Sequence, residues 1–465
     1  MSALPNPDEI VASVFKAYDI RGTVPQPLNA SFAERLGRAL AERAKAAQVS
    51  EVVVGRDGRL SGPDLQSALM SGLMAGGVNV VDIGVVPTPL VYFAAHTRGN
   101  GSGVAITGSH NPPDYNGFKM MMGGITLYGD AITALRPQML GALQDDAQPG
   151  NRIEVDVVTP YIERIIGDIK LARPMKIAID AGNGVAGPTA ARLFKALGCE
   201  VVELFCDIDG RFPNHHPDPA DPANLQDLVR CLAETDCELG LAFDGDGDRL
   251  GVVTKSGQII WPDRQLILYA RDVLSRLPGA QIIYDVKCSR YVAQAVREAG
   301  GVPLMWKTGH SLVKAKLQET GAPLAGEMSG HTFFKERWFG FDDGLYTGAR
   351  LLEIVSREAN PSALLEALPE AVSTPELKLH TAEGEQFAVV ERLQAEAEFD
   401  GANEVITIDG VRVEYDDGFG LARPSNTTPV VVLRFEADDQ AALARIQSAF
   451  REQILRVMPA AQLPF

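Results

Sequence analysis

No apolar run in this chain approaches the ~18 residues that a membrane-crossing helix needs. An excess of cations is missing too: 43 basic residues against 60 acidic ones leave a formal net charge of −17, which argues against a nucleic-acid or anionic-membrane surface. No C-x-x-C pair joins any of the five cysteines, Cys199, Cys206, Cys231, Cys237 and Cys288. Reduced thiols are therefore expected, rather than a disulfide framework or structural zinc. No Gly-Lys pair occurs, which excludes a P-loop. The stretch MSALPNPDEI carries Asp8 and Glu9 where an export signal would carry basic residues ahead of an apolar core, so the expected location is the cytoplasm. Any anionic ligand must be met by a local cluster of cations working against a repulsive field.

What the chain does have is length, 465 residues at 46% hydrophobic and 22% charged, enough for about three domains of ~150 residues or four smaller ones. Three segments share one layout. Each opens with an apolar strand and a polar turn: EVVVGRDGR, MKIAIDAGNG and QIIYDVKCS. Each continues through a helix and a short strand (LMSGLMAGGVNVVDIG, ARLFKALGCEVVELF, AQAVREAGGVPLMWKTGH) and ends in an apolar strand with a polar loop (GVAITGSHNPP, LGLAFDGDGDR, APLAGEMSGH). Near-continuous apolar strands alternating with helices predict α/β units on mixed, mostly parallel sheets. From about residue 371, EVITIDGVRVEY and PVVVLRFEADDQAALARIQSAFREQIL predict a smaller α+β unit. Boundary signals in DDAQPGNRIEV, at Ser256-Gly257 and around Pro369 divide the chain into residues 1–154 with the serine loop, 155–258 with the acidic loop, 259–370 with the GEMSGH loop, and 371–465. Ligands of open α/β sheets collect at strand carboxyl ends, so the three polar loops are expected to converge on one cleft.

DGDGDR places Asp244, Asp246 and Asp248 at alternate positions with glycines between, a pattern that can close on one divalent cation. A calcium EF-hand would need Gly and Glu where Arg249 and Lys255 stand. Magnesium keeps open positions for water or phosphate and so points to phosphate chemistry. Arg249 would neutralise a phosphoryl oxygen or balance the acids. Ser109 lies in no nucleophile elbow, and His110, adjacent in an extended segment, is a poor base for it. Taken alone the loop is equally a turn; its equivalence with the acidic loop makes Ser109 a candidate phosphoryl carrier. GNGVAG, Gly182 to Gly187, resembles a dinucleotide fingerprint, but Asp180 stands directly before it, where its charge would oppose a pyrophosphate. Glu327, Ser329 and His331 of GEMSGH suit sugar hydroxyls or an ordinary hydrogen-bonded turn, and RPSNTTP, Arg423 to Pro429, suits a phosphate cradle or a plain loop. Arg21, Lys119, Arg249, Lys287 and Arg423 stand in or beside these loops and are the local cations the net charge demands.

With AYDIRG, GRDGRLSGP, TGSHNPPDYNGFK, FPNHHPDP, DGDGDR, DVKCS, WKTGHS, GEMSGH and RPSNTTP in that order over essentially its whole length, the chain resembles the α-D-phosphohexomutase superfamily, close to its bacterial phosphomannomutase/phosphoglucomutase branch. The resemblance implies a heart-shaped, four-domain monomer around one central cleft, interconverting hexose 1- and 6-phosphates through a phosphoserine and a hexose 1,6-bisphosphate. It implies Ser109 as the phosphoserine; one Mg2+ per chain held by Ser109, Asp244, Asp246 and Asp248; and glucose 1,6-bisphosphate as activator. Glu327, Ser329 and His331 would bind the sugar, and Arg423, Ser425, Asn426, Thr427 and Thr428 the phosphate that is not reacting. Tyr18, Arg21, Lys119, Arg249, Lys287, Gly309 and His310 match cleft positions, with Arg21, Lys119 and His331 as proton-transfer and charge-stabilising candidates. Phosphoglucosamine mutase, a phosphosugar phosphatase using the same serine, and a non-enzymatic phosphosugar sensor are the alternatives.

Overall fold

In the computed structural model of the chain, which describes residues 10–98 and 100–465, four sheets follow one another. Asp8 and Glu9, read above for export, lie outside the described residues. The first three sheets repeat one pattern. Each repeat opens with a strand, Glu51–Arg56, Lys176–Asp180 or Gln281–Asp285. A helix follows (Gly62–Ala75, Ala186–Ala196, Arg290–Glu298) and leads to a parallel neighbour on one side, Asn79–Val85, Glu200–Leu204 or Val302–Trp306. The strand on the other side, Gly103–Ile106, Leu239–Phe243 or Leu324–Gly326, is also parallel to the opener. An antiparallel partner closes the unit: Tyr115–Met122, Leu250–Thr254 or Thr332–Phe334. These loop-bearing strands are buried at every position, as expected of strands lying inside a sheet with both faces covered. Their carboxyl ends are where the polar loops begin.

The expected break at 258/259 cuts through a sheet. Ile259–Ile260 is a strand that pairs antiparallel with Val252 and Val253, so we extend the second unit through Ile260 and begin the third at Trp261, ahead of the helix Pro262–Arg276. Two residues are too short to show a period in sequence.

The fourth sheet is antiparallel, ordered Val372–Ser373, Val430–Ala437, Gly418–Pro424, Val411–Tyr415, Glu404–Ile406, with Leu377–His380 also on Val430–Ala437. Helices Glu385–Glu396 and Gln440–Val457 supply Val389, Leu393, Ile446 and Phe450 to its own core. By contrast, one apolar core runs unbroken through the first three units, from Val53 and Phe93 through Ile177 and Phe194 to Leu266 and Phe334. Aromatic rings lock the junction: Phe93 lies 5.4 Å from Tyr161 and 5.9 Å from Trp338, which stacks on Tyr346 at 4.2 Å. The fourth unit docks through a small apolar cluster, Val286 against Phe419 and Leu421, and through polar bonds. Arg412 donates to the carbonyls of Val286 (2.6 Å) and Cys288 (2.7 Å), and Ser289 to Glu436 (2.8 Å). All five cysteines are buried free thiols. Among the described residues no helix is long and apolar enough to cross a membrane.

Candidate active site

The Gly103–Ile106 strand runs into Thr107-Gly108-Ser109, and Ser109 sits at φ 50°, a left-handed conformation uncommon outside glycine and typical of constrained functional positions. Its amide donates to Thr107 Oγ1 at 2.7 Å. Pro112 and Pro113 fix φ within this loop, and the structure adds a buried guanidinium. Arg59, wholly buried, donates to the carbonyls of Ser109 (2.8 Å), Asn111 (2.6 Å), Tyr115 (2.9 Å) and Pro112. Gly108 is required beneath it, because a Cβ there would lie 2.4 Å from Arg59 Cζ.

Ser109 Oγ faces the acidic loop, 3.4 Å from Asp244 Oδ2. Asp244, Asp246 and Asp248 are completely buried, and each offers an oxygen within 4.8 Å of the others. Lys119, from the antiparallel strand beside the serine strand, donates to Asp246 (2.8 Å) and Asp248 (2.5 Å), and Thr88 Oγ1 donates to Asp246 (2.6 Å). Two oxygens, Asp246 Oδ1 and Asp248 Oδ1, are buried with no hydrogen-bond partner among the described residues. Buried oxygens without donors are costly, and an unsatisfied carboxylate set of hard oxygen ligands fits a divalent cation. Burial and the charges of Asp248 and Asp246 push the Asp244 carboxyl well above the carboxylate range. Burial acts in the same direction on Asp246, but Lys119 and Thr88 outweigh it and hold that carboxyl low.

Arg249 crosses to the third unit, where its Nε donates to His331 Nε2 at 3.1 Å. With Nε2 accepting, the imidazole proton belongs on Nδ1, which lies 3.0 Å from Asp342 Oδ2. Asp342 also accepts from Lys314 at 2.8 Å. The His310 ring stacks on His331 at 5.4 Å, and burial, then the Lys314 charge, hold its imidazole well below the usual histidine range. His110 is engaged by Asp218 of FPNHHPDP at 3.1 Å.

A second group gathers around Tyr18. Its hydroxyl donates to the Thr308 carbonyl (2.8 Å) and accepts from Asn426 of the fourth unit. Gly309, at φ 133°, makes room for it: a Cβ would lie 2.4 Å from the tyrosine ring. The Gly309 amide donates to Glu327 (2.6 Å), which also accepts from Ser329 (3.1 Å). Asp409 ties the fourth unit in, accepting from the Thr308 amide (2.9 Å) and from Arg423 (3.0 Å). Ser425 accepts from the Thr427 and Thr428 amides within its own loop (3.3 and 3.2 Å). Lys287 is held by Glu376 (2.6 Å), away from the carboxylate cluster, and Arg21 joins the serine loop through Asn111 (2.6 Å). Thus hydrogen bonds join Ser109, Asp244, Arg249 and His331 in one chain, and Lys119 joins Asp246 and Asp248 beside it. Tyr18, Gly309, His310, Glu327, Ser329 and Asn426 flank it; Lys287 bonds to Glu376, and Ser425, Thr427 and Thr428 bond within their own loop. The sequence reading gives no role to Arg59, although it lies in GRDGRLSGP, nor to Thr88, Lys314 and Asp342, which lie in none of the quoted motifs.

The chain matches four family profiles described as phosphoglucomutase/phosphomannomutase alpha/beta/alpha domains I, II and III, over 12–143, 159–257 and 261–372, and the family's C-terminal domain over 376–453. It is 58% identical to a phosphoglucomutase of Neisseria meningitidis over 96% of this chain and 97% of that one. It is 53% identical to a phosphomannomutase/phosphoglucomutase of Pseudomonas aeruginosa over 98% of each. A crystal structure of a phosphoglucomutase/phosphomannomutase family protein from Burkholderia thailandensis is similar to it at a TM-score of 0.94 and 63% identity, covering 98% of this chain and all of that one.

Proposed function

Because the chain belongs to the phosphoglucomutase/phosphomannomutase family, matched in all four of its domains, we infer that it moves a phosphoryl group reversibly between O1 and O6 of hexose phosphates. Its substrates are glucose 1- and 6-phosphate and mannose 1- and 6-phosphate. In this reading Ser109 carries the phosphoryl group. Transfer breaks the bond from phosphorus to the serine oxygen and forms one to the free sugar hydroxyl, whose proton passes to a neighbouring base. The resulting hexose 1,6-bisphosphate turns over in the cleft, and its other phosphoryl group returns to Ser109. The observation that carries the reading is the placement of Ser109 Oγ, in a left-handed loop, 3.4 Å from a buried three-carboxylate cluster with two unpartnered oxygens.

Asp244, Asp246 and Asp248 would hold one Mg2+ per chain, with the serine's phosphoryl group as its further ligand. A divalent cation supplies neutralisation of phosphoryl oxygens. Lys119 and Arg249 add fixed positive charge where the transferring group passes. His331, which stands between Arg249 and Asp342, takes or returns the sugar proton. Glu327 and Ser329 orient the sugar hydroxyls, and Arg423 with Ser425, Asn426, Thr427 and Thr428 grips the distal phosphate. Tyr18, Arg21, Lys287, Gly309 and His310 complete the walls. Glucose 1,6-bisphosphate serves as activator by restoring phospho-Ser109. The enzyme so read is a monomer, and its five unpaired cysteines suit a cytoplasmic location.

A coupled assay tests this. With Mg2+ and a trace of glucose 1,6-bisphosphate, glucose 1-phosphate and mannose 1-phosphate should both be isomerised without phosphate release, and Ser109→Ala should be inactive. Stoichiometric phosphate release would make the enzyme a phosphatase, silence on both sugars would point to glucosamine 1-phosphate, and near-normal turnover by Ser109→Ala would overturn the carrier assignment.

A further inference from the structure

Each repeat's opening strand runs out into an aspartate: Asp57, Asp180 or Asp285. The transfer described above uses none of them. Pairing register makes the three equivalent. Continuing the pairing of Arg56 with Ile106 by one residue sets Asp57 opposite Thr107; Asp180 is opposite Ala242; continuing Tyr284 with Gly326 sets Asp285 opposite Glu327. Two residues further along each neighbouring segment stand Ser109, Asp244 and Ser329. The same backbone position therefore addresses all three chemistry-bearing loops at the same offset.

All three aspartates are buried, at 3%, 1% and 0% exposure, and the acceptors of Asp57 and Asp285 are turned onto their loops. Asp57 Oδ2 accepts the Gly108 amide (3.2 Å), Thr107 Oγ1 (2.8 Å) and Arg59 Nε (3.1 Å). Thr107 Oγ1 in turn takes the Ser109 amide, and Arg59 takes the loop's carbonyls. Asp285 Oδ1 accepts the amide equivalent to that of Gly108, the Met328 amide, at 3.0 Å, while its Oδ2 takes Thr308 Oγ1 at 2.7 Å. In the second repeat the hold is indirect: both Asp180 oxygens lie 3.0 Å from His215 Nε2, and the carbonyl of nearby Pro217 accepts the Gly245 amide at 3.1 Å.

We propose that two of these aspartates are positioning residues: Asp57 sets where the Ser109 oxygen stands against the carboxylate cluster, and Asp285 sets the sugar-binding loop. The assignment to separate steps rests on the reading of Ser109 as phosphoryl carrier. A carboxylate accepts several donors at once through charge-assisted bonds, whereas an asparagine of the same shape replaces one acceptor oxygen with a donor. Released from its clamp, a serine held in a left-handed conformation relaxes toward a lower-energy backbone. Its phosphoryl group then meets water more often than the sugar.

The test uses the full chain carrying Asp57→Asn, Arg59→Lys or Asp285→Asn, with isomerisation and inorganic phosphate release from glucose 1-phosphate read together at saturating Mg2+. Asp57→Asn and Arg59→Lys should each lower kcat about 10- to 100-fold with KM within about twofold of wild type, the size expected of an ångström-scale misplacement. Both should raise the ratio of phosphate release to isomerisation. Asp285→Asn should raise KM about tenfold and leave that ratio at the wild-type value, since it loosens substrate binding and not the carrier. Wild-type kinetics in Asp57→Asn and Arg59→Lys, or an equal loss in all three variants with an unchanged release ratio, would overturn the proposal. Ser109→Ala is assayed beside them: if it still turns over, the carrier reading fails, and if it is dead while the Asp57 and Arg59 variants match wild type, the positioning proposal fails alone.

Discussion

Lys119 shows how one residue serves two demands. Three carboxylates buried together repel one another, and its ammonium is the cation that hydrogen-bonds two of them. Burial alone would pull the lysine toward neutrality, but Asp246 and Asp248 hold its pKa well above the ordinary value. Lys119→Met should therefore destabilise the metal-free protein by roughly 3–5 kcal/mol, the usual consequence of stripping the partner from a buried charge. Mg2+ should recover more Tm in the variant than in wild type, because it then replaces the missing counter-charge. Thermal unfolding with and without Mg2+ measures this, and equal Mg2+ shifts in the two proteins would contradict it. The triplet of aspartates is legible because its spacing is local. Arg59, Thr88 and Asp342 are not, since each acts across a fold-made contact: Thr88 meets Asp246 from 158 positions away.

Among the elements, helix Gly344–Val355 ties units together from its first turn. Its N-cap Asp343 accepts the Tyr346 amide at 2.9 Å and the Tyr161 hydroxyl of the second unit at 2.9 Å, and the Gly344 amide donates to Gly247 in the acidic loop at 3.1 Å. Burial pushes the Asp343 carboxyl up to about 7, whereas an unfolded aspartate titrates near 3.9. The folded state thus binds the proton more tightly than the unfolded chain. This contribution to stability is fully present below about pH 4 and is lost as pH rises through about 7. Asp343→Asn, which keeps an acceptor for the cap, should flatten the fall in Tm between pH 5 and pH 8; an unaltered slope would place the ionisation elsewhere. At this scale the repeat of strand, helix, strand and polar loop is readable, because buried parallel strands carry continuous apolar runs. The Ile259–Ile260 strand is not readable, and its absence from the pattern displaced a boundary.

Over the whole molecule one apolar core bridges the first three units beside their separate cores, and the fourth has its own. Its docking depends on polar groups such as Arg412, which satisfies two buried carbonyls and lies 3.6 Å over the Phe419 ring. Arg412→Met would leave those carbonyls without donors, at about 1–3 kcal/mol each. Amide exchange should then quicken across residues 371–465 and at the Val286–Cys288 turn, while the shared core keeps its protection. Uniform quickening throughout the chain would instead mean that all four units unfold together.

What the sequence determined by itself is local: the threefold layout, the loops at strand ends, the serine and the three aspartates, and the residue types suited to phosphate. Period, spacing and turn chemistry are properties of neighbouring residues. Only the tertiary structure decided which charge answers which. It set Lys119 among carboxylates 127 and 129 positions away, gave Arg249 to His331, and gave Lys287 to Glu376 rather than to the central cluster. Buried ionic contacts depend on ångström-scale distances that the packing of separate units creates, and no pattern along the chain encodes them.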